Sequence, residues 1–265
     1  MMVPSIESVI EIVRKASELM CTDAFDIKSK DGCENIVTTS DVAVQKYLCE
    51  NLSALLPGCG FICEEDGVND PDKEYVWVID PIDGTANYAR GISDCAISVG
   101  LRHCGEVIQG VVFIPWKGEM YHAEKGKGAF CNGKLIHVSD RPFRDGILCT
   151  AMSTYRKEYA DTCSEIIMEA FHQCNDVRRF GSAAVELCIL ASGKCELYFE
   201  MRLQPWDYAA GMLILEEAGG VISGLDGGSL RFDGPDLVCA ANSCESHSRL
   251  LEIIRKHVPS IPYVD

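Results

Sequence analysis

Long apolar runs are missing from this 265-residue chain: no stretch approaches the roughly 18 consecutive residues that a helix needs to cross a bilayer. The N-terminal segment MMVPSIESVIEIVRKASELM has no basic residues ahead of a continuous apolar stretch, so no secretion signal is expected. Positive charge is also scarce, with 24 Lys and Arg against 40 Asp and Glu and a formal net charge of −16. That balance argues against nucleic-acid binding, which needs basic surface to displace counterions from phosphate. Cys-x-x-Cys pairs are absent. The closest cysteines are Cys59 and Cys63, and His103-Cys104 is an isolated pair, so zinc-ligand spacing is missing. Cysteine itself is abundant, with fifteen residues. In a chain long enough to build its own core and lacking an export signal, they read as small buried hydrophobes in a reducing, cytoplasmic setting rather than as a disulfide scaffold.

What is present is ordinary for a folded globular protein: 47% apolar and 24% charged residues. Ile6, Val9, Ile10, Val13, Ala16, Leu19 and Met20 recur at helical spacing, which predicts a helix over 4–24 with Pro4 in its first turn. Residues 28–34 read as a polar connection. Ser40 or Asp41 is the expected cap of a second helix reaching Leu56 and stopped by Pro57-Gly58. Apolar runs at 59–63 and 75–79 have strand length, and each ends at acidic residues. Further strands are expected at 96–101, 107–114 and 119–123, with Asn132-Gly133 as a hairpin signal. Beyond Pro142 the pattern alternates: strands at 147–151, 176–180, 196–199 and 237–241, helices at 156–172, 182–191, 205–218 and 246–257. There is no internal repeat, low-complexity tract or long linker. The expected organisation is one compact unit over 1–265, with an α+β half (1–143) and a mainly α/β half (144–265).

The chemistry concentrates at Trp77-Val-Ile-Asp80-Pro-Ile-Asp83-Gly-Thr85, where two carboxylates stand three residues apart just after a buried strand. Pro81 stiffens the turn and Gly84 lets backbone approach a ligand closely. The amides of Gly84 and Thr85 are expected to open a helix, an anion-binding position. Alone, the segment also reads as an Asp-rich turn with a helix cap. Glu64-Glu65 follows another short apolar strand, and Asp207 lies in the first turn of a helix. Together these residues supply hard oxygen ligands of the kind Mg²⁺ prefers. Crowding such carboxylates costs about 4 kcal/mol per close pair at an effective dielectric near 20, so the cluster must bind cations or take up protons. Bound cations also explain how an acidic protein holds a phosphate ester.

Val37 to Asp41, Glu64-Glu65, Asp80 to Asn87, Gly181 to Ala184, and Trp206-Asp207-Tyr-Ala-Ala-Gly211 through Gly220 resemble the inositol monophosphatase family over essentially the whole chain. The Asp-Pro-Ile-Asp-Gly-Thr and Trp-Asp-x-Ala-Ala-Gly runs, in that order, carry the resemblance most specifically. It implies a layered αβαβα sandwich of the sugar-phosphatase type and two or three Mg²⁺ ions. One ion would be held by Glu64, Asp80 and the Ile82 carbonyl, and a second by Asp80, Asp83 and Asp207, with Glu65 reaching a third through water. Thr85 would orient the attacking water, with Asp41 and Glu64 as proton acceptors. Gly84, Thr85, Ser182, Ala183, Glu200 and Asp207 would bind the substrate. Lys30 would add positive charge near the ions, with Lys28 a competing candidate. The implied reaction is direct in-line attack of metal-activated water on inositol monophosphate or a related polyol phosphate. Arg178, Arg179 and Arg202 keep open a second phosphate site, as in fructose-1,6-bisphosphatases. Nucleotide 3′-phosphatase and histidinol-phosphatase activities also remain open. The resemblance further implies a homodimer with a small-molecule substrate and no membrane or nucleic-acid partner. Cys63, where the family often has Gly, and the mild variants Ser182 and Tyr88 depart from the pattern without removing a metal ligand.

Overall fold

Helix α1 (Ile6–Ser17) starts at Ser5, whose hydroxyl accepts from the Ser8 amide, so Pro4 lies just before the helix rather than in its first turn. The computed structural model describes residues 3–20, 27–31, 35–65, 70–154 and 156–258, with only the backbone described over 27–31 and 35–37. A 3₁₀ turn at Glu18–Met20 follows α1, and the expected helix end at 21–24 lies outside the described residues. Part of the expected polar connection is instead an antiparallel pair, β1 (Ile27–Asp31) and β2 (Asn35–Thr38). Backbone groups pair there whatever the polarity of the side chains. Helix α2 (Thr39–Leu55) is capped by Thr38, not by Ser40 or Asp41. The Thr38 hydroxyl accepts from the amides of both, and Asp41 returns a bond from the Thr38 amide (2.8 Å), closing a capping box.

A seven-stranded sheet follows in chain order: β3 (Gly60–Cys63), β4 (Tyr75–Asp83), β5 (Ala96–His103), β6 (Glu106–Ile114), β7 (Glu119–Glu124), β8 (Ala129–Cys131) and β9 (Lys134–Ile136). Only β3 and β4 run parallel. A short helix α3 (Thr85–Tyr88) interrupts the run after β4, and Asn132-Gly133 turns the β8–β9 hairpin with positive φ at both residues. Strand alternation splits the apolar side chains between two cores. Trp77, Ile79, Ile97 and Val99 face α1 and α2, whereas Val76, Val78, Val112 and Tyr121 face the molecule's centre.

The second half supplies β10 (Ile147–Thr150), α4 (Ala160–Phe171), β11 (Asp176–Arg178), α5 (Ala183–Ala191), β12 (Leu197–Leu203), α6 (Pro205–Glu217), β13 (Val221–Ser223), β14 (Asp236–Ala241) and α7 (Cys244–His257). The five strands lie in the order β11-β10-β12-β14-β13, with β10 parallel to both neighbours and β14 antiparallel to both of its own. The sheet is therefore mixed rather than all parallel. The helix expected from 156 becomes α-helical only at Ala160, after a 3₁₀ turn at Lys157–Tyr159.

Helices α5 and α6 lie between the two sheets, and α4 with α7 covers the outer face of the five-stranded sheet. The layers run α1/α2, seven strands, α5/α6, five strands, α4/α7, which is the αβαβα arrangement implied by the resemblance. A helix covered on all sides is apolar all round, and every residue of α5 is buried. Glycine sets how closely α6 seats. A Cβ at Gly110 would stand 2.7 Å from the Ala210 carbonyl oxygen, and one at Gly211 would stand 2.8 Å from Leu187 Cδ1. That close seat brings the first turn of α6 to the end of β4.

Candidate metal centre

Two aspartates three residues apart on a regular strand would face opposite sides of the sheet. In β4 they do not. Asp80 pairs with Ser98 and Asp83 with Ala96, so three steps along β4 match two along β5. This bulge adds one residue and restores the phase, and Pro81, which has no N–H to give to a ladder, sits within it. The strand therefore continues past Ile79, where the apolar run ends. Asp80, Asp83 and Asp207 from the first turn of α6 each place a carboxylate oxygen within 4.8 Å of the other two.

Protein donors orient all three groups. The Ile82 amide donates to Asp80 Oδ1 (3.0 Å). Asp83 Oδ2 accepts from the Ser182 hydroxyl and the Ala184 amide, both at 2.6 Å, and the Gly84 amide also bonds this carboxylate. The Gln204 amide donates to Asp207 Oδ2 (2.7 Å). Burial, followed by repulsion from Glu64, Asp83 and Asp207, pushes Asp80 well above the usual carboxylate range. Burial and then Asp83 do the same to Asp207. Asp83 rises only to about 6, because burial is opposed by Ser182, Ala184 and Gly84. Oxygen-only donors that repel one another, two of them buried and one half-buried, match a hard divalent cation, so the residues fit Mg²⁺.

Glu64 reaches the same place from β3: its amide donates to the Ile79 carbonyl (3.2 Å), and its carboxylate lies close enough to Asp80 to raise it. Glu65 is buried, with its backbone held in two bonds of 2.9 Å by the Gln45 side chain. Just before them, Cys63 Sγ lies 3.8 Å from Cys49 Sγ. Thr85 Oγ1 stands 3.1 Å from Asp41 Oδ1 and 3.0 Å from the Ile82 carbonyl, with one proton to give to these two acceptors. Burial raises Asp41, against the bonds from Thr38 and Thr85.

Glu200, near the middle of β12, accepts from the Tyr198 hydroxyl (2.9 Å) and is pushed up to about 7, chiefly by burial. Ser182 caps α5 and Ala183 begins it. Arg178 pairs with Asp176 on the surface, and Arg179 donates to Thr154 Oγ1 (3.1 Å) while its charge lowers Glu200. Arg178 also lines a cavity of about 290 Å³ with Lys117, Lys194 and Phe180, whose lining includes none of the clustered aspartates. Arg202 is half-buried on β12, and the Lys28 and Lys30 side chains lie outside the described residues. Sequence reasoning missed Glu186. Its carboxylate accepts from the amides of Phe180 (2.6 Å) and Gly181 (3.2 Å), bracing the turn before Ser182, and burial holds it well above its usual range. The available signal was a lone carboxylate in the otherwise apolar AAVELCILA.

A five-layer αβαβα protein with an acidic, oxygen-donor cluster where a bulged strand meets a helix start is the class defined by this fold and site. The chain belongs to the inositol monophosphatase family, whose model matches residues 3–261. It is 36% identical to the Nus factor SuhB of Escherichia coli over 232 residues, 85% of this chain and 86% of that one. It is 33% identical to the inositol-1-monophosphatase of Caulobacter vibrioides over 254 residues, 93% and 99% of the two chains. The IMPase of Thermotoga maritima superposes with a TM-score of 0.86 at 28% identity, over 95% of this chain and 97% of that one. No helix among the described residues is long and apolar enough to cross a membrane.

Proposed function

We propose that the chain is a Mg²⁺-dependent phosphomonoesterase that hydrolyses inositol monophosphate or a closely related polyol phosphate by in-line attack of water. The observation that carries this reading is the meeting of buried Asp80 and Asp83 with half-buried Asp207 within 4.8 Å, oriented by protein donors. Asp80, Asp83, Asp207, Glu64 and the Ile82 carbonyl would hold two ions, and Glu65 would serve a third. When bound, Mg²⁺ supplies positive charge that favours ionised water and steadies the departing alkoxide.

The chain's own groups do the rest. Thr85 aligns the water, and Asp41, 3.1 Å away and held by Thr38, takes the proton passed through Thr85, with Glu64 as a second acceptor. The Thr85 amide at the start of α3 and Ser182 with Ala183 at the start of α5 face the phosphate. Glu200 accepts a ring hydroxyl. Arg178 pairs with Asp176 at the surface and lines a cavity that none of the clustered aspartates lines, which favours a monophosphate over a bisphosphate. We extend the proposal to a cytoplasmic homodimer as the active form, on the family resemblance alone. The Escherichia coli relative's name, Nus factor, describes that protein. For this chain, a buried carboxylate cluster destabilising to a purely binding protein favours hydrolysis.

Phosphate release from inositol 1-phosphate, fructose 1,6-bisphosphate, 3′-phosphoadenosine 5′-phosphate and histidinol phosphate, with and without Mg²⁺, tests this reading. The expected result is Mg²⁺-dependent release with preference for inositol 1-phosphate, and loss of turnover in a folded Asp83→Asn variant. Full activity in that variant removes the metal assignment, and a clear preference for the bisphosphate removes the substrate.

A further inference from the structure

A second set of metal-ligating side chains lies at the other end of β4. Glu74, immediately before the strand, and His103-Cys104, at the β5–β6 turn, each offer a donor atom within 4.8 Å of the other two. His103 Nε2 is 3.1 Å from Glu74 Oε1. The set is fixed by the sheet rather than by flexible loops. Tyr75 and His103 are cross-strand partners, and the Cys104 amide donates to the Glu74 carbonyl (3.0 Å). The Tyr75 ring stacks on the His103 imidazole, with centroids 4.3 Å apart and planes 13° from parallel. From Glu74 to Asp80, the nearer of the clustered aspartates, the strand spans roughly 20 Å at about 3.3 Å per residue, so this cluster shares nothing with the carboxylate site.

Cys104 occupies a position its backbone does not suit. It has φ 49° and is followed by Gly105 at φ 93°, a two-residue hairpin turn whose first position favours Asn, Asp or Gly. An exposed thiol in left-handed conformation has no packing reason to be there. We propose that Glu74, His103 and Cys104 form a second cation site for a borderline divalent transition ion of the Zn²⁺ class. One carboxylate oxygen, one imidazole nitrogen and one thiolate sulfur are the mixed donors that select such an ion over Mg²⁺, whose ligands are oxygens. Binding converts the Cys104 thiol to thiolate, and its proton leaves to the solvent. Glu74 and Cys104 are exposed, so the fourth position stays open to water or to an external donor.

Cobalt titration of the reduced, full-length chain in excess Mg²⁺ tests the site. One equivalent of Co²⁺ is expected to produce a thiolate-to-metal charge-transfer band, which one equivalent of Zn²⁺ then removes. Cys104→Ser and Cys104→Gly abolish the band, and the glycine variant relieves the strained φ and keeps the turn folded. His103→Ala and Glu74→Gln weaken Co²⁺ binding at least about tenfold, since losing even an outer partner of a metal ligand costs about 10–100-fold. Mg²⁺-dependent phosphate release stays unchanged in all four variants. Absence of a band at stoichiometric Co²⁺ overturns the proposal. So does a band of equal strength in Cys104→Ser, because it then belongs to another cysteine.

Discussion

Asp83 shows how much of the candidate site is built before any cation arrives. The Ser182 hydroxyl and Ala184 amide converge on Oδ2, and together with Gly84 they hold Asp83 near 6 while Asp80 and Asp207 rise further. Ser182 is in this sense a positioning residue for a ligand, beyond any contact with phosphate. Ser182→Ala removes one of these donors, along with the N-cap acceptor for the Val185 amide, while the Ala184 amide still holds Asp83. The Mg²⁺ concentration for half-maximal phosphate release is expected to rise about 10–100-fold, the usual effect of losing a group that orients a metal ligand. A half-maximal concentration equal to that of the parent chain rules out this role.

At the scale of elements, the position of α6 determines whether Asp207 meets β4. Where the sheet meets α6, a Cβ at Gly110 would have only the Ala210 backbone to push against. Gly110→Ala is expected to destabilise the fold by about 1–3 kcal/mol through overpacking. At about 2–4 °C per kcal/mol for a chain of this size, thermal unfolding registers the change. The variant also needs more Mg²⁺, because α6 carries Asp207 with it. Gly234→Ala is the control: an added Cβ there meets nothing within 4 Å and the backbone φ is permissive, so stability stays within about 0.5 kcal/mol. The sequence made β4 to β7 and the long helices legible because apolar periodicity reports burial on one face or all round. It did not reveal the β1–β2 pair, whose residues are largely polar, or the three-residue β13, too short to show a period. The bulge that brings Asp80 and Asp83 to one face was hidden for a different reason. It exists only in the pairing of β4 with β5, which no local pattern records. The acidic residues were readable as motifs, whereas Glu186 was masked by the apolar helix around it.

The whole molecule carries a net charge of −16 and buries several carboxyl groups, so its stability should depend on pH in an unusual direction. Asp83 is raised to about 6 and Glu200 to about 7, and Asp80, Asp207 and Glu186 are raised well above their usual range, mainly by burial. A carboxyl raised in the folded chain keeps its proton there after the unfolded chain has lost it. The folded state then binds more protons, and stability falls as pH rises through that window. For Asp83 and Glu200 the window runs from about pH 4, the ordinary unfolded value, to about pH 6–7. Mg²⁺ binds the ionised carboxylates and competes with the same protons, so its stabilisation grows as pH rises. In thermal unfolding, the metal-free chain is expected to lose Tm between about pH 5 and pH 8, and Mg²⁺ to restore it far more at the upper value. Asp207→Asn keeps the acceptor for the Gln204 amide but removes one buried charge. It should raise the metal-free Tm at about pH 8 and blunt the response to Mg²⁺, separating the stability of the fold from the charge that its metal site requires. A metal-free Tm that rises across this pH range, or a Mg²⁺ increment of equal size at both ends, is incompatible with a repelling carboxylate cluster where β4 meets α6.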